Sequence, residues 1–430
     1  MRAALSEIDI GEGLKVASQM LADIGARTSD GVGITRTAYG EGEQLAHDMV
    51  AALARDLGLE PLTDAALNLY ITMPGSSRTK APIFVGSHLD SVPRGGNYDG
   101  LAGVAAGMAC LVAFHAAGVS LERDLTLLAI RAEENYWFSA QHVGSRAALG
   151  TLSASALATA TRADTGRPLA EHMREAGCDV DALGNGRALI QRTAIACFLE
   201  CHIEQGPVLI DREIPIGIVT AIRGNRRCKE ARCVGAYGHS GAEPRALRRD
   251  AVFAAAELVG RVEEFWIARE SEGEDLVVTF GKFTTDASAH GLTVIPGEVV
   301  FTIDVRSHST DTLDRTWAFI QETCVHIAER RNVAFRFEGQ TQEAPVAMDA
   351  ELRRALLDVC AETGVPAFEM ASGGGHDAGD FAAAGIPAAM IFVRNANGSH
   401  NPDEAMDFAD FATVVRVLAR TIQHIDGRMA

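Results

Sequence analysis

The apolar positions fall into two kinds of pattern. Ile83-Phe84-Val85, Leu125 to Ile130, Ala194 to Leu199 and Ala388 to Val393 are short, nearly unbroken apolar runs, as expected of strands buried on both faces. Between them lie helical stretches: an amphipathic one over Glu43 to Leu57, stopped by Gly58, and an Ala- and Gly-rich one over Leu101 to Ala117. Residues 10 to 60 read as helical, followed by a strand at Leu67 to Thr72 and a turn at Pro74-Gly75-Ser76-Ser77. This βα alternation predicts an α/β fold with a mostly parallel sheet covered by helices on both faces.

The middle of the chain reads differently. Arg227 to Ala236, Leu276 to Phe283 and Val299 to Arg306 read as strands, with a helix over Ala251 to Ser271. In the last strand Phe301, Ile303 and Val305 share one face and Thr302, Asp304 and Arg306 the other, which predicts a half-exposed antiparallel sheet. The expected organisation is therefore an α/β domain in two parts, 1–220 and 336–430, interrupted by an inserted α+β domain at 221–335.

Each of the four buried runs gives way to acidic or histidine residues. After Val85 come His88, Asp90 and Asp99; after Ile130, Glu133-Glu134; after Leu199, His202, Glu204 and Gln205; after Val393, His400. Ligands of open α/β sheets bind beyond the carboxyl ends of the strands, so these side chains can converge. Carboxylates and imidazoles gathered in one place need cations, or the carboxylates repel and take up protons. The mixture of nitrogen and oxygen donors suits Zn²⁺, with Mn²⁺, Co²⁺ or Ni²⁺ compatible. Asp90, two residues beyond His88, can orient it from the same side of an extended chain.

Composition narrows the partners. The 430 residues include 57 Asp and Glu against 39 Lys and Arg, a formal net charge of −18. Such a balance argues against nucleic acid or an anionic membrane as partner, each of which would require a basic face. The eight cysteines lie in apolar contexts without a C-x-x-C pair, and Cys228 and Cys233, five apart, are expected on opposite faces of their strand. Met1-Arg2-Ala3-Ala4-Leu5-Ser6-Glu7 lacks the apolar core of a signal peptide, so the expected location is the cytoplasm. Gly100-Leu101-Ala102-Gly103 at a helix start suggests a nucleotide-binding loop, but its spacing is not G-x-G-x-x-G and metal-type residues surround it.

Gly86-Ser87-His88-Leu89-Asp90-Ser91-Val92-Pro93 with Gly95-Gly96-Asn97-Tyr98-Asp99-Gly100 resembles the first metal motif of the M20 metallohydrolases, in their hydantoinase/carbamoylase branch. Further matches are His202-Ile203-Glu204-Gln205-Gly206-Pro207, Leu247-Arg248-Arg249-Asp250-Ala251, Val294-Ile295-Pro296-Gly297, Gly375-His376-Asp377-Ala378 and Ser399-His400-Asn401-Pro402-Asp403-Glu404. The resemblance implies two divalent metal ions bridged by Asp99, one also held by His88 and His202, the other by Glu134 and His400. It implies Glu133 as general base and His239 as a helper at the tetrahedral intermediate, reaching into the partner's site of a homodimer formed through an inserted lid and dimerisation domain. It further implies Arg306 as a carboxylate binder, Gln205 as a polar contact, and a substrate-side place for His376. The substrate expected is a small anionic ureido or amide compound such as an N-carbamoyl-L-amino acid, with no nucleic acid or membrane partner. An N-acyl-amino-acid deacylase or dipeptidase, and a non-catalytic ligand-binding relative, are the alternatives. Two departures from the branch bear on substrate: Trp137 stands where it usually has arginine, and Thr293 where it usually has asparagine, so both are expected near the substrate.

Overall fold

A computed structural model describes residues 8–427. The N-terminal stretch Met1 to Glu7, on which the signal-peptide expectation rests, lies outside the described residues. The chain divides into two compact units: one runs to Thr220 and resumes at Ala347, and the other is Ala221–Val346.

In the first unit the buried runs become the central strands. In spatial order the sheet runs Pro61–Thr63, Leu69–Met73, Leu125–Ile130, Ile83–His88, Cys197–Ile203, Ala388–Val393 and Ile216–Ile222. Ile83–His88 pairs parallel with Leu125–Ile130 and with Cys197–Ile203, which pairs parallel with Ala388–Val393. Leu69–Met73 and Ile216–Ile222 join antiparallel. Helices Gly11–Thr28, Leu101–Ala116, Ala350–Thr363 and Phe408–Asp426 bury their apolar sides with Val85, Leu127, Leu199 and Ile391 in one core. On the opposite sheet face Phe381, from helix Asp377–Ala383, stacks on Phe198 at 4.2 Å between ring centres. Helix Leu101–Ala116 approaches the sheet closely because Gly103 carries no side chain: a Cβ there would lie 2.0 Å from the Cys201 carbonyl oxygen. Gly103 of Gly100-Leu101-Ala102-Gly103 thus serves packing.

The second unit is an antiparallel sheet in the order Phe283–Thr285, Glu298–Ser307, Gly224–Val234, Ala334–Glu343, with Val277–Thr279 also on Glu298–Ser307. Helices Ala251–Ser271 and Thr310–Arg331 bury Leu258, Val262, Leu313 and Ile320 with Val299, Phe301, Ile303 and Val305. Both helices start on side-chain caps, Asp250 accepting from the Val252 and Phe253 amides and Ser309 from that of Thr312.

Two expectations are corrected. The inserted unit extends past 335 to Val346, because Ala334–Glu343 pairs along its length with Gly224–Val234; that strand is mostly exposed and shows little of the buried pattern that marks the others. Cys228 and Cys233 do not face opposite ways. Phe301 opposes Ala231 but Ile303 opposes Cys228, so the register slips by one residue and Cys228, Ala231 and Cys233 all enter the same core. All eight cysteines are buried and unpaired. Among the described residues no helix is long and apolar enough to cross a membrane.

Candidate metal centre

The first unit brings the polar strand ends together. His88 ends a fully buried strand, and the chain returns to begin helix Leu101–Ala116 directly after Asp99 and Gly100. Gly100 makes this return possible: its φ is +67°, and a Cβ would lie 2.5 Å from the His88 ring. One oxygen of Asp99, Oδ1, lies 3.5 Å from His88 Nε2 and 3.1 Å from His202 Nε2. The other, Oδ2, lies 3.3 Å from His400 Nε2, which is 3.3 Å from Glu134 Oε1. His88, Asp99 and His202 form one group with donor atoms within 4.8 Å of one another; Asp99, Glu134 and His400 form a second. Asp99 belongs to both.

The donor set fits a pair of divalent cations. Asp99 Oδ1 and Glu134 Oε1 are buried yet make no hydrogen bond, a costly state for an anionic oxygen. Without cations, protons take their place. The carboxylates of Asp99 and Glu134 push His400 up to about 11, against burial. Burial would lower His88, but Glu133, Asp90 and Asp99 hold it well above the ordinary imidazole value. Burial would raise Asp99, but its three imidazole neighbours keep it well below the carboxylate range.

A surrounding shell fixes these groups. Asp90 lies 3.3 Å from His88 Nδ1 through Oδ1, and its two oxygens accept from the Glu133 and Glu134 amides at 2.9 and 3.1 Å. One buried carboxylate thus orients a histidine and the turn carrying both glutamates. Glu404 accepts from the Tyr98 and Asp99 amides at 2.8 and 3.2 Å. Ser399 Oγ lies 2.6 Å and Gln205 Nε2 2.8 Å from Asp99 Oδ2. Arg36, fully buried, donates through Nε to the Leu89 carbonyl at 2.6 Å and sets a positive charge among these carboxylates. Behind the glutamates, Arg131 and Glu43 form a buried ion pair at 2.9 Å, and Glu43 also accepts from the Ala132 amide.

Glu133 stands beside the two groups. Its Oε2 is 3.9 Å from His88 Nε2 and its Oε1 3.4 Å from His142 Nε2. Burial raises its proton affinity well above that of an ordinary glutamate, partly offset by His88 and His142 and reinforced by Glu134 and Asp377. His142 is pushed up to about 10: burial would lower it, but Asp380, 2.5 Å from Nδ1, and Glu133 prevail. A carboxyl group so placed can accept and return a proton.

The other sequence candidates lie differently. Trp137, expected to touch substrate, is 5% exposed, packs with Phe138 and Leu169, and donates its indole N–H to the Ser91 carbonyl at 2.7 Å. It supports the turn, and Tyr136, 53% exposed, is the aromatic residue facing outward. His376 is buried 4.5 Å (ring centre to ring centre) from His202 and bonds Ser372 Oγ at 2.9 Å; burial and His202 keep it neutral. His239, Thr293 and Arg306 belong to the second unit. There Gly238–His239 pairs with Val294–Ile295, and the Ser240 amide donates to the Thr293 carbonyl, so His239 and Thr293 share one edge. Arg306 binds Asp304 at 2.7 Å on the polar face of its strand. Sequence reasoning passed over His142, Asp380, Arg36, Glu43 and Arg131. Apart from the His142–Glu133 approach, their charged partners are far away in sequence, and no spacing pattern ties any of them to the metal-type residues.

The profile of peptidase family M20/M25/M40 matches residues 84–424. The chain is 36% identical over 417 residues to an N-carbamoyl-L-amino acid amidohydrolase of Geobacillus stearothermophilus, covering 96% of this chain and 98% of the relative. It is 31% identical over 363 residues to the allantoate amidohydrolase of Escherichia coli (strain K12), covering 84% and 85%. A solved structure of a hydantoinase/carbamoylase family amidase from Burkholderia ambifaria superposes with a TM-score of 0.85 at 27% identity, over 97% of this chain and 96% of that one.

Proposed function

The chain belongs to peptidase family M20/M25/M40, and from that premise we propose a two-metal amidohydrolase that cleaves the linear C–N bond of a ureido group on a small carboxylate, such as an N-carbamoyl-L-amino acid. The observation that carries this reading is the pair of donor groups sharing Asp99 with Glu133 beside them. Its similarity to amidohydrolases of N-carbamoyl-L-amino acids and allantoate supports the bond type. His88 and His202 would hold one ion, Glu134 and His400 the other, and Asp99 both. Bound there, two divalent cations, Zn²⁺ by preference and Mn²⁺, Co²⁺ or Ni²⁺ as alternatives, would polarise the scissile carbonyl and lower the pKa of the attacking water.

The chain's own residues supply the proton handling. Glu133 takes a proton from the attacking water and delivers it to the leaving nitrogen. Water adds to the ureido carbon, the C–N bond to the amino acid breaks, and the products are the free amine and carbamate, which decays to ammonia and CO₂. Asp90 keeps His88 and the Glu133–Glu134 turn in place. We assign the substrate carboxylate to Arg306, whose planar fork suits bidentate pairing, the oxygen of the tetrahedral intermediate to His239, and polar substrate contacts to Gln205 and Thr293. A homodimer through the inserted unit and a cytoplasmic location complete the proposal; eight unpaired thiols suit a reducing compartment.

The test is a substrate panel with the zinc-loaded protein: N-carbamoyl amino acids, allantoate, N-acyl amino acids and dipeptides. Ammonia and free amine should appear from ureido compounds. Cleavage of acyl or peptide bonds with none of ureido bonds would contradict the reading in favour of a deacylase or dipeptidase.

A further inference from the structure

We infer that His142, locked by Asp380, is a positioning residue that holds the carboxylate of Glu133 in its reactive orientation. This rests on the reading of Glu133 as the base. Three separate elements meet here. Glu133 lies in the turn after Leu125–Ile130, His142 directly precedes helix Val143–Ala148, and Asp380 lies in helix Asp377–Ala383. Asp380 Oδ2 sits 2.5 Å from His142 Nδ1, and the opposite ring nitrogen, Nε2, is 3.4 Å from Glu133 Oε1.

The ring has little freedom. The His142 amide donates to the Glu133 carbonyl at 2.9 Å, tying the two backbones together. His142 itself takes a left-handed conformation, φ +51°, uncommon for a residue with a side chain. Across from it a Cβ on Gly375 would come within 2.9 Å of Nε2, so glycine there leaves room for the imidazole.

The two oxygens of Glu133 therefore have different neighbours. Oε1 faces His142, while Oε2 faces His88 on the metal side. A base that must meet a water at hydrogen-bond distance gains from this division, because a glutamate without it samples several rotamers. A displacement of about 1 Å in such a group can cost on the order of 10²-fold in rate. Asp90 fixes the backbone of Glu133; His142 fixes its far end.

The test compares His142→Ala, His142→Gln, Asp380→Ala and Asp380→Asn as full-length, zinc-loaded proteins, on whichever ureido substrate the wild type turns over. His142→Ala should lower kcat roughly 10- to 100-fold with KM within about twofold and metal content unchanged. His142→Gln, whose amide N–H can reach the same oxygen, should recover most of that loss. Asp380→Asn, which can still accept from Nδ1–H, should outperform Asp380→Ala. Wild-type kcat in His142→Ala, or glutamine no better than alanine, would overturn the inference. If His142→Ala does not fold, the Asp380 pair decides on the same terms: equal rates for alanine and asparagine overturn it. Glu133→Gln separates the two levels. If it retains full turnover, the reading of Glu133 fails; if it is inactive while the His142 variants match wild type, only this inference fails.

Discussion

At the scale of single residues, Asp99 connects the two donor groups, and its environment explains how a buried carboxylate remains charged. Three imidazoles surround it, and a serine and a glutamine lie within 2.8 Å of its Oδ2. In the metal-free chain those imidazoles keep protons that an ion must displace. His400 titrates at about 11 without metal and must be neutral to bind one, so at any pH below that value ion uptake releases its proton, and affinity rises with pH. Zinc added to the metal-free protein in weakly buffered solution at pH 7 should acidify it measurably, and the apparent Kd should tighten between pH 6 and pH 8. A pH-independent Kd with no proton release would contradict the assignment of His400 as a ligand. The donor residues at Asp99 were legible in the sequence because they lie just beyond buried runs. His142 was not: its partner Asp380 is 238 positions away, and a lone histidine in a loop carries no periodic signal.

At the scale of elements, the site depends on how closely strand ends and a helix start approach one another. Gly100 tests this. A Gly100→Ala chain has to place a Cβ at a φ of +67° against the His88 ring, 2.5 Å away. A residue with a side chain held at this γ-turn backbone, φ +67° and ψ −51°, costs about 1–3 kcal/mol, and displacement of His88 should weaken metal binding about 10- to 100-fold, the range seen when groups supporting a ligand are removed. Zinc titration alongside thermal unfolding measures both; wild-type affinity would show that His88 does not require this close approach. Element boundaries followed the strength of the burial pattern. Leu125–Ile130 and Ala388–Val393 are found where the apolar runs place them, because both faces of each are covered. Most of Ala334–Glu343 lies past the expected boundary at 335, because a mostly exposed strand carries little hydrophobic signature. The slip opposite Phe301 was invisible because an extra residue in a strand leaves no mark in the sequence itself.

At the scale of the whole molecule, the acidic surplus of −18 is mostly a property of the surface, but several carboxylates are deeply buried beside positive or ionisable partners. Glu43 has Arg131, Asp99 and Asp90 have His88, and Arg36 sets a further positive charge within the same region. Asp99 Oδ1 and Glu134 Oε1, both buried, make no hydrogen bond, which suits them to bind cations. The most direct test is therefore stoichiometric. The protein is stripped with a chelator, zinc is added in steps, and ammonia release from an N-carbamoyl-L-amino acid is followed. Two-metal catalysis predicts negligible release before zinc and a rise that saturates near two equivalents per chain. Full activity in the stripped protein, or no ureido hydrolysis once two ions are bound, would contradict it.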